Sequence, residues 1–331
     1  MELDEIYENF GNIYTSKIVP NLAPFESKRR SIEKKYKVTK RLSIVMGIPA
    51  IILFCNLNID IQIENSNFFT ENIQSILKIS AILLALISGV LYCTAIGIDT
   101  KFRNSVKSKI LPILLSLFGN FTVKTSSEHN GVSKISLSEI KRLGFFRLAE
   151  RKEDDDIIEG IYKNLEINIT ETMLEHQEGS GKHKHTVRDF KGLIVKTKLN
   201  KNYKGTTLLA AKNNSRSATK GKLEKVELED VEFNKMFNIY SDNQVEVRYL
   251  LDLSFMEKIK QAKEVFGGSC IHFAIVNDLF YIFINSVKNY FEIAKTEKNI
   301  YDIQNFRKVC HEFVSIFKLI EHLNLAKKDC P

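Results

Sequence analysis

The sequence contains no tryptophan and few residues that break or cross-link a chain: 5 prolines, 15 glycines and 5 cysteines among 331 residues. So little proline and glycine excludes collagen-like and proline-rich linker architectures. The cysteines stand at positions 55, 93, 270, 310 and 330, too scattered for a disulfide framework. Without a CxxC pair, zinc-ribbon and thioredoxin-type sites are not indicated, and a reducing compartment is the simpler interpretation.

Motifs that carry chemistry are absent as well. The sequence has no glycine-rich phosphate loop, no GxSxG elbow and no HExxH pair. It therefore indicates no cofactor and no metal, and it favours a non-enzymatic role without deciding the question. His176, His183 and His185 lie in a polar Gly/Ser/Lys stretch that is typical of a surface loop rather than of a rigid metal site. The acidic run 153–156 predicts a solvated turn before a strand, or a docking patch for a basic partner.

The positive charge of the chain is concentrated in two short windows. The formal net charge is +8, and residues 26–41 hold eight Lys/Arg against two Glu. Residues 99–109 hold four against one Asp. We name these windows the first and second basic collars. A nucleic-acid-binding protein more often spreads basic residues over its folded domain, so we expect no nucleic-acid partner.

Two apolar segments lie between the collars. Residues 42–59 and 79–98 contain no charged side chain. At about 1.5 Å per residue, helices of these lengths reach roughly 27 and 30 Å, close to the hydrocarbon thickness of a bilayer. The alternative is a pair of buried helices in a soluble core, but such helices rarely lack charge over so many residues. The segments therefore predict a two-helix transmembrane hairpin with membrane lipids as partners.

The distribution of charge around the spans predicts their orientation. The connector 60–75 carries three acidic residues and neither Lys nor Arg, whereas both outer flanks are basic. The positive-inside rule then places both termini in the cytoplasm. The predicted organisation is a cytosolic amphipathic helix with the first collar (1–41), the transmembrane hairpin (42–98), a juxtamembrane helix (99–121) and a cytosolic α+β domain (122–331).

Prolines are predicted to end two of the membrane-proximal helices. Residues 3–18 repeat apolar side chains at helical spacing, and Pro20 and Pro24 should end that helix. Its acidic polar face disfavours an anionic bilayer surface, so packing on the protein itself is preferred over lying on the membrane. Pro112 should interrupt the run 107–121.

The C-terminal region alternates in the manner of strands. The patterns predict strands at 157–163, 165–174, 186–199, 206–211, 222–228, 237–241, 269–276 and 279–285. They predict helices near 136–143, over 244–265 with a break near Leu253, and over 300–325. The polar stretches 175–186 and 212–221 should form loops. The expected fold is α+β: a mostly antiparallel sheet capped by helices, following the transmembrane hairpin.

Three phrases of the chain, at 153–171, 189–209 and 232–251, resemble the DUF3137 family of uncharacterised bacterial membrane proteins. The third phrase is the most specific, and it matches the family pattern at Phe233, Asn234, Lys235, Phe237, Tyr240, Ser241, Asp242, Gln244, Val245, Glu246, Arg248 and Tyr249. The chain departs at Thr206, where the family often has Arg. The resemblance covers about 135–325. It implies a location in a bacterial inner membrane and a shared fold, and it implies no activity.

The same phrase supplies the candidate binding residues: Asp242, Gln244, Glu246, Arg248 and Tyr249. One interpretation is structural, with Asp242 capping a helix and Arg248 forming an ion pair. The other is a ligand site, in which these groups would converge on a pocket.

Two functions are consistent with the sequence. The first is a membrane-anchored, cytosol-facing interaction module that binds a protein partner at the inner membrane or a lipid head group. The alternative is a membrane enzyme with an unrecognised active site around Asp242, Glu246 and Arg248. A transporter or channel would require oligomerisation, since two spans alone form no pathway.

Overall fold

The computed structural model describes residues 3–58, 68–125, 133–200, 203–212, 223–268, 270–286 and 289–325. Its helices are α1 (Leu3–Glu8), α2 (Phe10–Ile13), α3 (Val19–Asn58), α4 (Phe68–Leu115), α5 (Leu137–Arg142), α6 (Val231–Met236), α7 (Gln244–Leu250), α8 (Leu253–Val265) and α9 (Ile303–Leu325). A π turn at Tyr14–Ile18 joins α2 to α3, and a short 3-10 turn lies at Gly181–His183. The contacts divide the chain into two compact units, one of Met1–Pro20, Lys107–Ile293 and Asp302–Pro331, and the other of Asn21–Val106 and Ala294–Tyr301. We call the first the sheet unit and the second the helical unit.

Nine strands form one sheet among the described residues of the sheet unit. They are β1 (Asn120–Lys124), β2 (Arg151–Tyr162), β3 (Leu165–Glu178), β4 (His185–Lys198), β5 (Thr206–Ala211), β6 (Glu224–Val226), β7 (Phe237–Ser241), β8 (Ile271–Val276) and β9 (Leu279–Asn285). The spatial order is β1-β2-β3-β4-β9-β8-β5-β7-β6, and every pairing is antiparallel. The α+β fold predicted from the sequence is confirmed.

Both faces of the sheet are covered. On one face, Leu174 and Phe283 pack in a core with Phe145 and Phe146, which follow α5. The other face carries Tyr162, whose ring stacks on Phe317 of α9 at 4.3 Å. Tyr162 is the register partner of Leu165, which lies an odd number of residues from Leu174. Because side chains alternate along a strand, the two contacts lie on opposite faces.

Most predicted elements are present, with shifted ends. Ser136 caps α5 by accepting from the Glu139 amide, and α7 and α8 are separated before Leu253, as predicted. The sequence patterns missed β1. They also gave too long a loop at 175–186, because β3 continues to Glu178 and β4 begins at His185. Most of the predicted loop 212–221 lies outside the described residues.

The prediction that Pro20 and Pro24 end the N-terminal helix was wrong. The chain passes from the π turn into α3 without a break, and α3 contains both prolines. A proline removes one N–H and crowds the carbonyl four residues earlier. For Pro20 that residue is Ser16, which lies within the π turn, and the wider π geometry accommodates the ring. The predicted packing of this segment on protein is observed: Tyr14 contacts Phe306 at 5.3 Å between ring centroids.

The predicted interruption at Pro112 was also wrong, since α4 runs through it to Leu115. Only the last residues of the helix follow this proline, so the lost hydrogen bond falls near its end. The helix side chains here are well packed, with Leu111 and Leu114 fully buried. Tertiary packing therefore outweighs the local cost of the proline.

Within the helical unit, α3 and α4 contact each other through small side chains. The Ser88 hydroxyl donates to the Ser43 carbonyl at 2.7 Å. A Cβ added at Gly47 would lie 2.8 Å from that hydroxyl oxygen. Ala50 and Ala81 are buried. Small residues that let two backbones approach are typical of membrane helix pairs.

Candidate functional site

The five residues of the predicted site lie around the start of α7. Asp242 does not cap the helix, because Asn243 is the cap residue and accepts from the Glu246 amide at 3.0 Å. Asp242 instead accepts from the Thr206 amide at 2.7 Å, which fixes the end of β7 to the start of β5. It precedes α7, so it does not share a helix face with Glu246.

The remaining groups make local contacts. Arg248 donates to the Gln244 carbonyl at 3.1 Å and to its side-chain oxygen at 3.3 Å, and its other nitrogen lies 3.4 Å from the Glu227 carbonyl. The predicted ion pair is thus replaced by carbonyl contacts. Tyr249 is exposed. None of the five lines the half-enclosed cavity described below, and a shared ligand pocket remains a prediction.

A buried ionic cluster, which the sequence did not reveal, lies in the sheet unit. Lys107 is 2% exposed. Its ammonium donates to an Asp156 carboxylate oxygen at 2.5 Å, to Glu292 at 2.8 Å and to the Tyr290 carbonyl at 3.2 Å. Three partners satisfy the three donors of the ammonium group, which is the condition for burying such a charge.

Further carboxylates lie beside this lysine. Oxygen atoms of Asp155, Asp156 and Glu171 all fall within 4.8 Å of one another. Burial raises the pKa of Glu171 to about 8, against the opposing attraction of Lys107. Burial also raises the pKa of Asp156, although Lys107 opposes this shift. The lysine ammonium supplies the compensating positive charge, so the geometry of the cluster is explained by Lys107 and a protonated Glu171.

Irregular backbone builds the cluster. The ladder between β2 and β3 shifts register between Asp154 and Ile157, and this β-bulge contains both aspartates. Bulges redirect side chains that a regular strand would place elsewhere. Phe291 adopts a φ of 55° and stacks on Phe313 at 4.4 Å. Phe291 lies between Tyr290 and Glu292, which are two of the three residues that contact Lys107.

From the sequence alone, Lys107 and Asp156 had been given other roles. Lys107 was counted in the second basic collar, and Asp156 in an acidic turn. The acidic run is instead part of β2, and Asp156 is buried. The available signal was an acidic run directly before β-branched residues, which is compatible with a strand. No spacing rule connects Lys107 to Asp156, so their pairing required the three-dimensional structure.

The histidines discussed below, all among the described residues, occupy structural or surface positions. His176 pairs with Asp189 at 2.8 Å, while His183 and His185 lie on the exposed hairpin tip. His272 is fully buried, accepts from the Ala211 amide at 3.2 Å and contacts the Phe145 ring. Burial lowers the pKa of His272 to about 4, so this ring is neutral at physiological pH.

A half-enclosed cavity of about 330 Å³ lies beside α5 in the sheet unit. We call it the arginine-rimmed cavity. Its apolar walls include Leu143, Leu208 and Leu279, and its charged lining consists of Glu139, Arg142 and Arg147. Glu139 accepts from the Tyr281 hydroxyl at 2.5 Å and pairs with Lys196 at 2.6 Å. Volume and lining match those of small-molecule sites in proteins.

Comparison with known proteins finds a family that matches part of the chain. The family described as "Protein of unknown function (DUF3137)" matches residues 188–325. No curated protein matches the chain. A solved structure, the crystal structure of the mycobacterial trehalose monomycolate transport factor A, TtfA, shares 7% identity and has a TM-score of 0.27. The similarity covers 50% of this chain and 74% of that one, and a TM-score this low carries no argument.

The matched segment contains two of the three phrases that carried the resemblance, 189–209 and 232–251, whereas 153–171 precedes it. It runs from β4 to the end of α9. The family resemblance is confirmed over residues 188–325, which match the model of the DUF3137 family, whose function is unknown.

Proposed function

We propose that this chain is a membrane-anchored binding module, held by a two-helix hairpin with its sheet unit on the cytosolic side. The observation that carries the proposal is the exposure of the two apolar helices. In α3 and α4, 11% of the most apolar 18-residue window is buried. Buried core helices of a soluble protein would show the opposite.

Apolar side chains on α3 and α4 are largely exposed to solvent. Ile51 is 65% exposed in α3, and Val90 is 66% exposed in α4. Fully burying such a side chain is worth about 1.5–3 kcal/mol, and many neighbours along both helices are equally exposed. A contiguous apolar surface of this kind in water promotes aggregation, whereas lipid acyl chains would cover it favourably.

The orientation is inferred from charge. Lys28, Lys34 and Lys35 of the first collar are exposed on α3, and the connector contains no basic residue. Each lysine near an anionic membrane surface contributes about 1 kcal/mol of attraction. A cytosolic sheet unit would thus be confined near the inner membrane, where its effective concentration toward a lipid head group or a membrane-bound protein partner is raised.

The enzymatic alternative around Asp242, Glu246 and Arg248 gains no specific support from geometry. Asp242 holds the Thr206 amide, and Arg248 is engaged by carbonyl oxygens. A nucleophile and a base within hydrogen-bond reach would be needed for covalent catalysis. The binding role of Asp242, Gln244, Glu246, Arg248 and Tyr249 stays a proposal, in which Asp242, Arg248 and Tyr249 are the exposed members.

The proposal is tested by thiol labelling of whole cells with a membrane-impermeant maleimide. The native cysteines are replaced, and one cysteine is introduced either in the connector (Asn67→Cys) or on the sheet unit (Leu148→Cys), where the native leucine is 58% exposed. We expect Asn67→Cys to react in intact cells, and Leu148→Cys to react only after permeabilisation.

Fractionation supplies the control for anchoring. The full-length chain should sediment with membranes and enter the supernatant only with detergent, not with high salt or alkaline carbonate. Labelling of Leu148→Cys in intact cells would contradict the proposed orientation, because it would place the sheet unit outside the cell. Recovery of the chain in the supernatant without detergent would contradict the proposal that the two helices anchor it in the membrane.

A further inference from the structure

The arginine-rimmed cavity has an excess of positive charge. Arg142 and Arg147 are both exposed at its rim, and Glu139 is the only acidic residue among the lining residues that the structure describes. That carboxylate already pairs with Lys196 and accepts from Tyr281. Among the described residues, no carboxylate forms an ion pair with Arg142. Because Glu139 is neutralised by Lys196, the guanidinium charge of Arg142 remains at the rim, where an anion can complement it.

The interior of the cavity is apolar. Leu143, Leu208 and Leu279 contribute to the walls, and Leu223 and Val276 close them. These side chains belong to the core that packs on the sheet, so the walls rest on a rigid scaffold. An ordinary inorganic anion would leave such walls in contact with water. A ligand that carries both an anionic group and an apolar body would satisfy both parts of the site.

We propose that the arginine-rimmed cavity binds a small amphipathic organic anion, with its carboxylate or phosphate group on Arg142 and Arg147 and its apolar body against the leucine walls. Arginine suits this role because its planar guanidinium donates two parallel hydrogen bonds to a carboxylate or phosphate. This inference deepens the proposed function, because it names the ligand class of the binding module.

The chain offers a clean reporter for this test, since it contains no tryptophan. Leu223→Trp places the single tryptophan at the cavity wall, and Leu279→Trp is a second reporter in case the first variant fails to fold. Full-length protein in lipid nanodiscs is titrated with ω-bromooctanoate, whose bromine quenches tryptophan on contact. The neutral ω-bromooctanol is the matched ligand control, and octyl phosphate serves as a competitor.

We expect saturable quenching by ω-bromooctanoate and at least about tenfold weaker binding of the alcohol, because the charge-assisted hydrogen bonds are lost. Arg142→Ala should weaken binding of the acid by about tenfold, and Arg142→Lys should restore part of it. Arg188→Ala removes an exposed arginine outside the cavity lining and should leave the affinity for ω-bromooctanoate unchanged. Displacement by octyl phosphate would extend the recognised group from carboxylate to phosphate, and failure to displace would restrict it to carboxylates.

Equal quenching by acid and alcohol would overturn the inference, as would equal affinity of the Arg142→Ala and Arg188→Ala variants. Quenching that never saturates would have the same meaning, since it reports partition into the bilayer. Ligand binding in nanodiscs does not depend on membrane orientation, because nanodiscs expose both sides of the bilayer. If the labelling of whole cells contradicted the predicted orientation while the ligand still bound, only the proposed function would be contradicted.

Discussion

At the scale of single residues, Lys107 is the charged group whose removal should cost most. Its ammonium is buried against two carboxylates and a carbonyl. Taking away one member of a buried ion pair leaves the other charge uncompensated, at a cost of about 3–5 kcal/mol. We therefore expect Lys107→Met to lower the free energy of unfolding by about that amount, measured by denaturation of the chain in detergent micelles.

The matched control lies two residues away in sequence. Lys109 is exposed on the same helix, so Lys109→Met removes the same charge from water rather than from a cluster. It should change stability by no more than about 0.5 kcal/mol. Equal effects of the two variants would mean that the cluster contributes nothing specific.

Glu171 should make stability depend on pH. Burial raises its pKa to about 8 from an ordinary value of 4.5. Between these values the folded chain holds the proton and the unfolded chain does not, so unfolding releases a proton and stability falls as pH rises. The unfolding temperature should therefore decrease from about pH 5 to about pH 8. In Glu171→Gln, which keeps the neutral shape, this decrease should be smaller.

Glu166 provides the comparison, because it lies on the same strand but is exposed. Its pKa is lowered, chiefly by a hydrogen bond from Lys134. Glu166→Gln should leave the decline above about pH 5 unchanged. Should Glu171→Gln and wild type show parallel pH profiles, protonated Glu171 would be ruled out.

At the scale of elements, Gly192 permits the close pairing of β4 and β9. Its φ is +153°, and an added Cβ would lie 1.9 Å from the Ile284 carbonyl oxygen. Gly192→Ala combines backbone strain with a clash in the middle of the sheet, so we expect a loss of about 2–5 kcal/mol. Gly181 also has a positive φ, +57°, but has open space around it. Gly181→Ala should cost less than about 1.5 kcal/mol, as judged by thermal unfolding.

The periodicity of the apolar residues and the residue types at turns and helix caps predicted most of the helices and strands. Strand alternation located β3, β5, β7 and β9. A tight turn at Asn277, whose φ is 54°, joins β8 to β9. The expectation that proline ends a helix failed at two positions. A π turn accommodates Pro20, and tertiary packing of α4 outweighs the local cost of Pro112. The Lys107 cluster could not be predicted, since it joins a helix, a bulge and a strained loop that are distant in sequence.

At the scale of the whole molecule, two exposed apolar helices and two basic collars are the features that a membrane would organise. The structure supports the helices, and the collars carry the proposed orientation. Positively charged residues close to the span ends set orientation, whereas charges in distant folded regions contribute little. Orientation is therefore the property that should change when the first collar is neutralised.

We expect the quadruple replacement of Lys28, Lys34, Lys35 and Arg41 by glutamine to produce a mixed orientation. All four side chains are exposed, and Arg29 is kept because it pairs with Glu26 and Glu33. In the Asn67→Cys background, part of the population should then resist labelling from outside intact cells. The control replaces Lys182, Lys184, Arg188 and Lys235, which are exposed on the sheet unit. Full labelling should persist there, because those charges are far in sequence from both spans. An unchanged labelling pattern in the collar variant would show that the first collar does not determine which side of the membrane the sheet unit occupies.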